Sequence, residues 1–119
     1  MTTHALTQER IALNQSTFRD ANERIGQAAG GMSLDGLVPF VCECPDPGCV
    51  TVVQLTLDTY RGLRRNPRRF FGAPGHQTIS LDAGAAVLVA EFPDYVVLDK
   101  VGRAGEIAEE RDREGTPHG

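Results

Sequence analysis

The stretch Val38-Pro39-Phe40-Val41-Cys42-Glu43-Cys44-Pro45-Asp46-Pro47-Gly48-Cys49-Val50-Thr51-Val52-Val53-Gln54-Leu55 decides the fold. Over residues 38–44 the side chains alternate, with Val38, Phe40, Cys42 and Cys44 on one face and Val41 and Glu43 on the other. That is the period of a strand, and it points both thiols the same way. Asp46-Pro47-Gly48-Cys49 has Pro second and Gly third, which suits a type II turn. The β-branched run over 50–55 supplies the returning strand, so the stretch predicts a hairpin with sulfur at its tip.

Downstream, Thr56 is a good N-cap for a helix that carries Leu57, Tyr60 and Leu63 on one face and stops at Asn66, because Pro67 follows. Phe70-Phe71 reads as a short buried strand or edge segment. Gly72-Ala73-Pro74-Gly75 is a second Pro-Gly turn, and it places His76 at the turn position that Cys49 holds in the first. The apolar runs 86–92 and 95–98, parted by Pro93-Asp94, predict a second hairpin that completes a small antiparallel sheet.

Upstream, Ile11, Phe18 and Ile25 recur every seven residues, with Ala21 and Ala28 at the intervening positions. They predict an amphipathic helix over 8–29 with one narrow apolar seam. Thr7 is placed to cap it, Asp20 and Arg24 form an i,i+4 pair, and Gly30-Gly31 stops it. The seam is expected to dock on the domain's own core. Its alternative use is a homodimer through Ile11, Phe18 and Ile25, with Asn14 fixing the register.

A length of 119 residues suits one domain with one core, and 6% aromatic residues without Trp leave burial alone a marginal source of stability. A metal staple would help. The net charge of −4 is uneven: residues 1–50 carry −3, 57–71 carry +4 and 82–119 carry −5. Eleven of the twelve basic residues are Arg, which reads first as a bias of codon composition. No apolar run approaches the roughly 18 residues of a membrane span, and the N-terminus lacks a basic flank before an apolar run. A cytoplasmic protein without membrane contact is expected. The domain plan is an N-terminal helical arm (1–31), a zinc-stapled α+β core (32–102) and a charged, disordered tail (103–119).

An odd number of cysteines in a cytoplasmic chain argues against a disulfide scaffold. Cys42, Cys44, Cys49 and His76 together supply the four ligands of one tetrahedral, structural zinc ion. The Cys-x-Cys-x4-Cys spacing, with 26 residues before the histidine, is not one of the short double-pair finger spacings. Free packed cysteines, a redox pair or an iron–sulfur ligand set are the alternatives. For the fourth ligand, Asp46, Glu43, a water or a partner's residue are alternatives to His76, whereas His4 and His118 lie near the termini.

Arg61, Arg64, Arg65, Arg68 and Arg69 place five guanidinium groups within nine residues. They read as a solvated face or as the intramolecular partner of the acidic C-terminal segment; the alternative is a phosphate grip of a nucleic-acid-binding regulator. Against that alternative stands a pI near 5.3. Neither His-x-Glu with Pro-Cys-x-x-Cys, nor His-Glu-x-x-His, nor a phosphate or dinucleotide loop occurs. A nucleophile pair from Cys42 or Cys49 with His76 is conceivable, yet three crowded thiols suit a metal better, so no enzymatic activity is expected.

The run Phe40-Val41-Cys42-Glu43-Cys44 through Cys49, Leu55-Thr56-Leu57 with Tyr60, Pro67 with Arg69-Phe70, Pro74-Gly75-His76, and Tyr95-Val96-Val97 with Lys100-Val101-Gly102 resembles a family of short, functionally uncharacterised actinobacterial proteins. Asn14, Phe18-Arg19 and Asn22-Glu23-Arg24-Ile25 extend the resemblance, which covers about residues 10–102. The resemblance implies a fold and a metal site but no mechanism, and the helix after Thr56 is richer in arginine here than the family pattern. The expectation is a zinc-binding protein-interaction or regulatory factor with an unidentified protein partner. A thiol redox sensor that releases zinc on oxidation is a further alternative.

Overall fold

The computed structural model describes residues 3–31 and 36–115. It is an α+β fold in the order α1 (Thr3–Gly31), β1 (Leu37–Val41), β2 (Val52–Thr56), α2 (Leu57–Arg64), β3 (Arg69–Gly72), α3 (Thr78–Asp82), β4 (Ala86–Glu91), β5 (Val96–Lys100) and α4 (Gly102–Gly115). The N-terminal helix, both hairpins and the intervening helix form as the sequence patterns require. The hairpins lie in separate sheets: β1 and β2 pair antiparallel from Leu37↔Thr56 to Val41↔Val52, while β3, β5 and β4 form a second antiparallel sheet in that order. A bulge at Val89 interrupts the β4–β5 register between Leu88 and Ala90.

Local chemistry accounts for the boundaries. The Thr56 hydroxyl accepts from the Thr59 N–H at 3.1 Å, so α2 begins where its cap stands. α1 begins at Thr3, four residues before Thr7, so Thr7 lies inside the helix instead of capping it. The turn before Cys49 is also not type II, since Gly48 does not take the positive φ that this turn needs. Instead Asp46 Oδ1 accepts from the Gly48 N–H at 2.9 Å, an Asx turn that closes the loop without a left-handed residue.

Two apolar clusters replace the single expected core. Near the start of α1, Ile11 and Ala12 pack with Ala85, Ala104 and Ile107. Near its end, Ala29 joins Val38, Phe40, Val53, Leu55, Tyr60 and Phe71, with Ile25 partly buried against them. In this second cluster the Phe40 and Tyr60 rings stack at 4.3 Å and Phe71 meets both edge-on. Between the clusters, α1 buries Gln15, Ser16, Arg19 and Asn22, a polar band at helical spacing. The helix therefore spans both clusters and is no separate arm.

The stretch after Gly102, expected to be a disordered charged tail, forms helix α4 as far as Gly115. Ala104, Ile107 and Ala108 give it a narrow buried stripe. Its charges are used laterally: Glu109 pairs with Arg68, Asp112 with Arg64, and Arg111 with Asp20 of α1. Residues 116–119 of the expected tail lie outside the described residues.

Candidate metal centre

Cys42, Cys44, Cys49 and His76 converge, and their ligand atoms all lie within 4.8 Å of one another. The sulfur atoms of Cys42 and Cys49 stand 3.5 and 3.6 Å from Nδ1 of His76. With zinc–sulfur and zinc–nitrogen bonds of about 2.3 and 2.0 Å, a tetrahedral site has sulfur–nitrogen edges of roughly 3.5 Å. The spacing fits a metal ion held by the three sulfurs and by Nδ1 of His76.

Three of the four side chains are presented by a local device. Cys42 continues β1 for one more residue, donating its N–H to the Thr51 carbonyl at 2.9 Å. Cys49 and His76 each close a turn by donating to the carbonyl three residues back, Asp46 and Ala73, at 3.0 Å in both cases. The two turns thus present equivalent positions, as their Pro-Gly sequences suggest. Gly75, at φ +90°, has the left-handed backbone that a Pro-Gly type II turn demands. Gly72 leaves room for the sulfur of Cys42, which would lie 3.3 Å from any Cβ added there.

Backbone donors surround the sulfurs: the Ala73 N–H donates to Cys42 Sγ at 3.2 Å, and those of Asp46 and Thr51 reach Cys44 and Cys49. Burial pushes the Cys42 thiol up and the Cys44 thiol up to about 12. Burial also opposes ionisation of Cys49, but hydrogen bonds from the Thr51 backbone and hydroxyl, together with those from Cys44 and Cys42, set that thiol below its usual value. Cys49 and His76 are half-buried, and a shallow groove of about 210 Å³ lined by Cys44, Asp46, Gly75, His76 and Ile79 opens beside them.

Neither carboxylate alternative belongs to the ligand set. Asp46 accepts within its own turn, and Glu43 lies on the opposite side of the strand, fully buried. There the Arg19 guanidinium grips Glu43 through two bonds of 2.6 and 2.7 Å. Asn22 Nδ2 donates to Glu43 at 2.9 Å and to the Val41 carbonyl at 2.8 Å, while its oxygen accepts from the Val41 N–H. The Phe71 N–H donates to the same carboxylate at 3.3 Å, and the Glu43 N–H donates to the Phe71 carbonyl at 3.1 Å. Asn14 reaches the Pro45 carbonyl at 2.8 Å. Three polar residues of α1 therefore hold the cysteine segment from behind.

Sequence patterning missed this support. Its signal was the spacing of Gln15, Arg19 and Asn22 beside the seam, opposite a lone glutamate between two cysteines. Within the seam itself Ile11 is buried in the first cluster, Ile25 is half-buried against the second, and Phe18 is half-buried and belongs to neither. Of the five clustered arginines, Arg64 bonds Glu23 and Asp112, Arg68 bonds Glu109 and Arg69 bonds Asp99 in a two-pronged pair. Arg61 and Arg65 have no ion-pair partner among the described residues. No helix of the described residues is long and apolar enough to cross a membrane.

Compared with family models, with curated proteins and with solved structures, the chain has no match in any of the three.

Proposed function

We propose that this protein is a cytoplasmic zinc-binding module in which one structural zinc ion, held by Cys42, Cys44, Cys49 and His76, fixes a surface for a protein partner. The observation that carries the reading is the closure of three thiols and an imidazole to within 4.8 Å from three separate chain segments. Soft thiolate ligands favour zinc over hard cations, and four protein ligands leave no open position for a water or substrate. Such an ion ties the β1–β2 hairpin to the turn after β3. That cross-link suits a structural role in a chain with few aromatic residues. The three cysteines are unpaired, which suits a reducing compartment. Against the nucleic-acid alternative stands the internal pairing of Arg64, Arg68 and Arg69 with carboxylates.

Native mass spectrometry of protein purified without chelator tests the metal: one zinc per chain is expected, lost in Cys44→Ser, and a metal-free but fully folded chain would overturn it. The interaction role is tested by a carboxylate-reactive cross-linker in native cytosol, because the single lysine is buried. One recurrent protein linked through α1 or α2 is expected; links no different from those of an unrelated acidic control contradict it.

A further inference from the structure

We infer that the groove between α1 and α2 is a binding site for a phosphate monoester carried on an apolar body. The groove encloses about 250 Å³ between Glu23, Gly26 and Gln27 of α1 and Leu57, Tyr60, Arg61, Arg64 and Arg65 along α2 and its C-cap. Three arginines and one carboxylate line it. That carboxylate is already committed: Glu23 accepts from Arg64 at 2.9 Å and from the Tyr60 hydroxyl at 2.5 Å, and both bonds hold its pKa down against burial. Arg64 is tied on its other side to Asp112 at 2.9 Å. It forms a fixed wall and offers the groove no uncompensated charge.

Arg61 and Arg65 are different. They stand one helical turn apart, four residues along the chain, so their side chains rise from the same face. Both are exposed, and neither has an ion-pair partner among the described residues, although the protein is acidic overall. The Arg61 head lies against α1 at Gly30, where an added Cβ would come within 2.7 Å of its Nη2. Two planar guanidinium forks from one helix face, both lining the groove, match the oxygens of a doubly charged phosphate, with several donors for three terminal oxygens. Leu57 supplies the apolar wall that a ring or alkyl stub would cover. The groove shares no lining residue with the metal centre, so the inference stands apart from the zinc reading.

The phosphate could belong to a free metabolite or to a phosphorylated side chain of a partner, and the same chemistry serves both. The test uses zinc-loaded protein, its metal content checked in each sample, and follows backbone amide resonances during titration with phenyl phosphate. Saturable shifts at residues 26–30 and 57–65 are expected, with binding at least tenfold weaker in Arg61→Ala and in Arg65→Ala and unchanged in Arg103→Ala. Tighter binding of a phosphotyrosine peptide than of phenyl phosphate would assign the source to a partner, and the reverse order to a small molecule; either supports the site. No saturable shift, or equal shifts in the Arg61→Ala, Arg65→Ala double variant, overturns it. Tighter binding of a polynucleotide, with a salt dependence reporting more than two phosphates, overturns it in favour of an extended nucleic-acid surface.

Discussion

Arg19 of α1 grips Glu43 in a buried two-pronged ion pair at 2.6 and 2.7 Å, and Glu43 is the residue between two of the four side chains that converge in a geometry able to bind a metal ion. The thiols of Cys42 and Cys44 leave one side of this segment and the carboxylate leaves the other. Whatever fixes Glu43 therefore fixes the direction in which the sulfurs point. Arg19 also donates to the Arg69 carbonyl, so one guanidinium joins α1, the cysteine segment and β3.

Breaking a buried, hydrogen-bonded pair leaves one charge uncompensated, which costs about 3–5 kcal/mol. Arg19→Ala and Glu43→Ala are each expected to destabilise the zinc-loaded protein by about that much in urea. The double variant is expected to lose less than the sum, because neither orphan charge remains. Additive losses, or single losses below about 1 kcal/mol, would show that the pair does not organise the segment.

Lys100 is fully enclosed, its ammonium nitrogen has no hydrogen-bond partner among the described residues and stands 5.0 Å from the Phe70 ring centre, and burial draws its pKa down to about 7. Arg19 adds to that depression, whereas Glu43 and Asp99 oppose it. Above pH 7 the folded state releases a proton that the unfolded chain keeps up to its ordinary pKa near 10.5. Stability then rises with pH across that window by about 1.4 kcal/mol per unit at most. Between pH 7.5 and 9.5 the wild type is expected to gain about 2–3 kcal/mol relative to Lys100→Met, both held at saturating zinc. Parallel stability curves for the two proteins would contradict this.

Metal binding is expected to show its own pH dependence. The thiols of Cys42 and Cys44 are pushed up by burial, so the metal-free site keeps protons that the ion must displace. Affinity for zinc, read by competition with a chromophoric chelator, should rise at least tenfold per pH unit between pH 6 and 8. Flat affinity across that range would mean that fewer than one proton leaves.

Gly75 has a backbone φ of +90°, which disfavours a side chain by roughly 1–2 kcal/mol. Gly75→Val is expected to weaken zinc binding about tenfold while leaving the helical circular dichroism of α1 and α4 intact. Unchanged affinity would mean that the turn does not position His76.

Local rules made much of this legible in advance. Alternation over 38–44, two Pro-Gly turns and the Thr56 cap act over a few residues, and they set the ligands in place. The polar band of α1 was hidden because Gln15, Arg19 and Asn22 look solvent-facing until Glu43, more than twenty residues away, makes Arg19 and Asn22 tolerable inside. Helix α4 was hidden for the same reason. Pairing of the acidic C-terminal segment with the arginines was one reading of that cluster, and Glu109 and Asp112 do find Arg68 and Arg64, but only Ala104, Ile107 and Ala108 betray a packed helical face.

X-ray absorption at the zinc edge on protein purified without chelator tests the central claim most directly. The account predicts a four-coordinate ion with three sulfurs at about 2.3 Å and one nitrogen at about 2.0 Å, the nitrogen replaced in His76→Ala. A shell of oxygens and nitrogens, or fewer than three sulfurs in reduced protein, would contradict it.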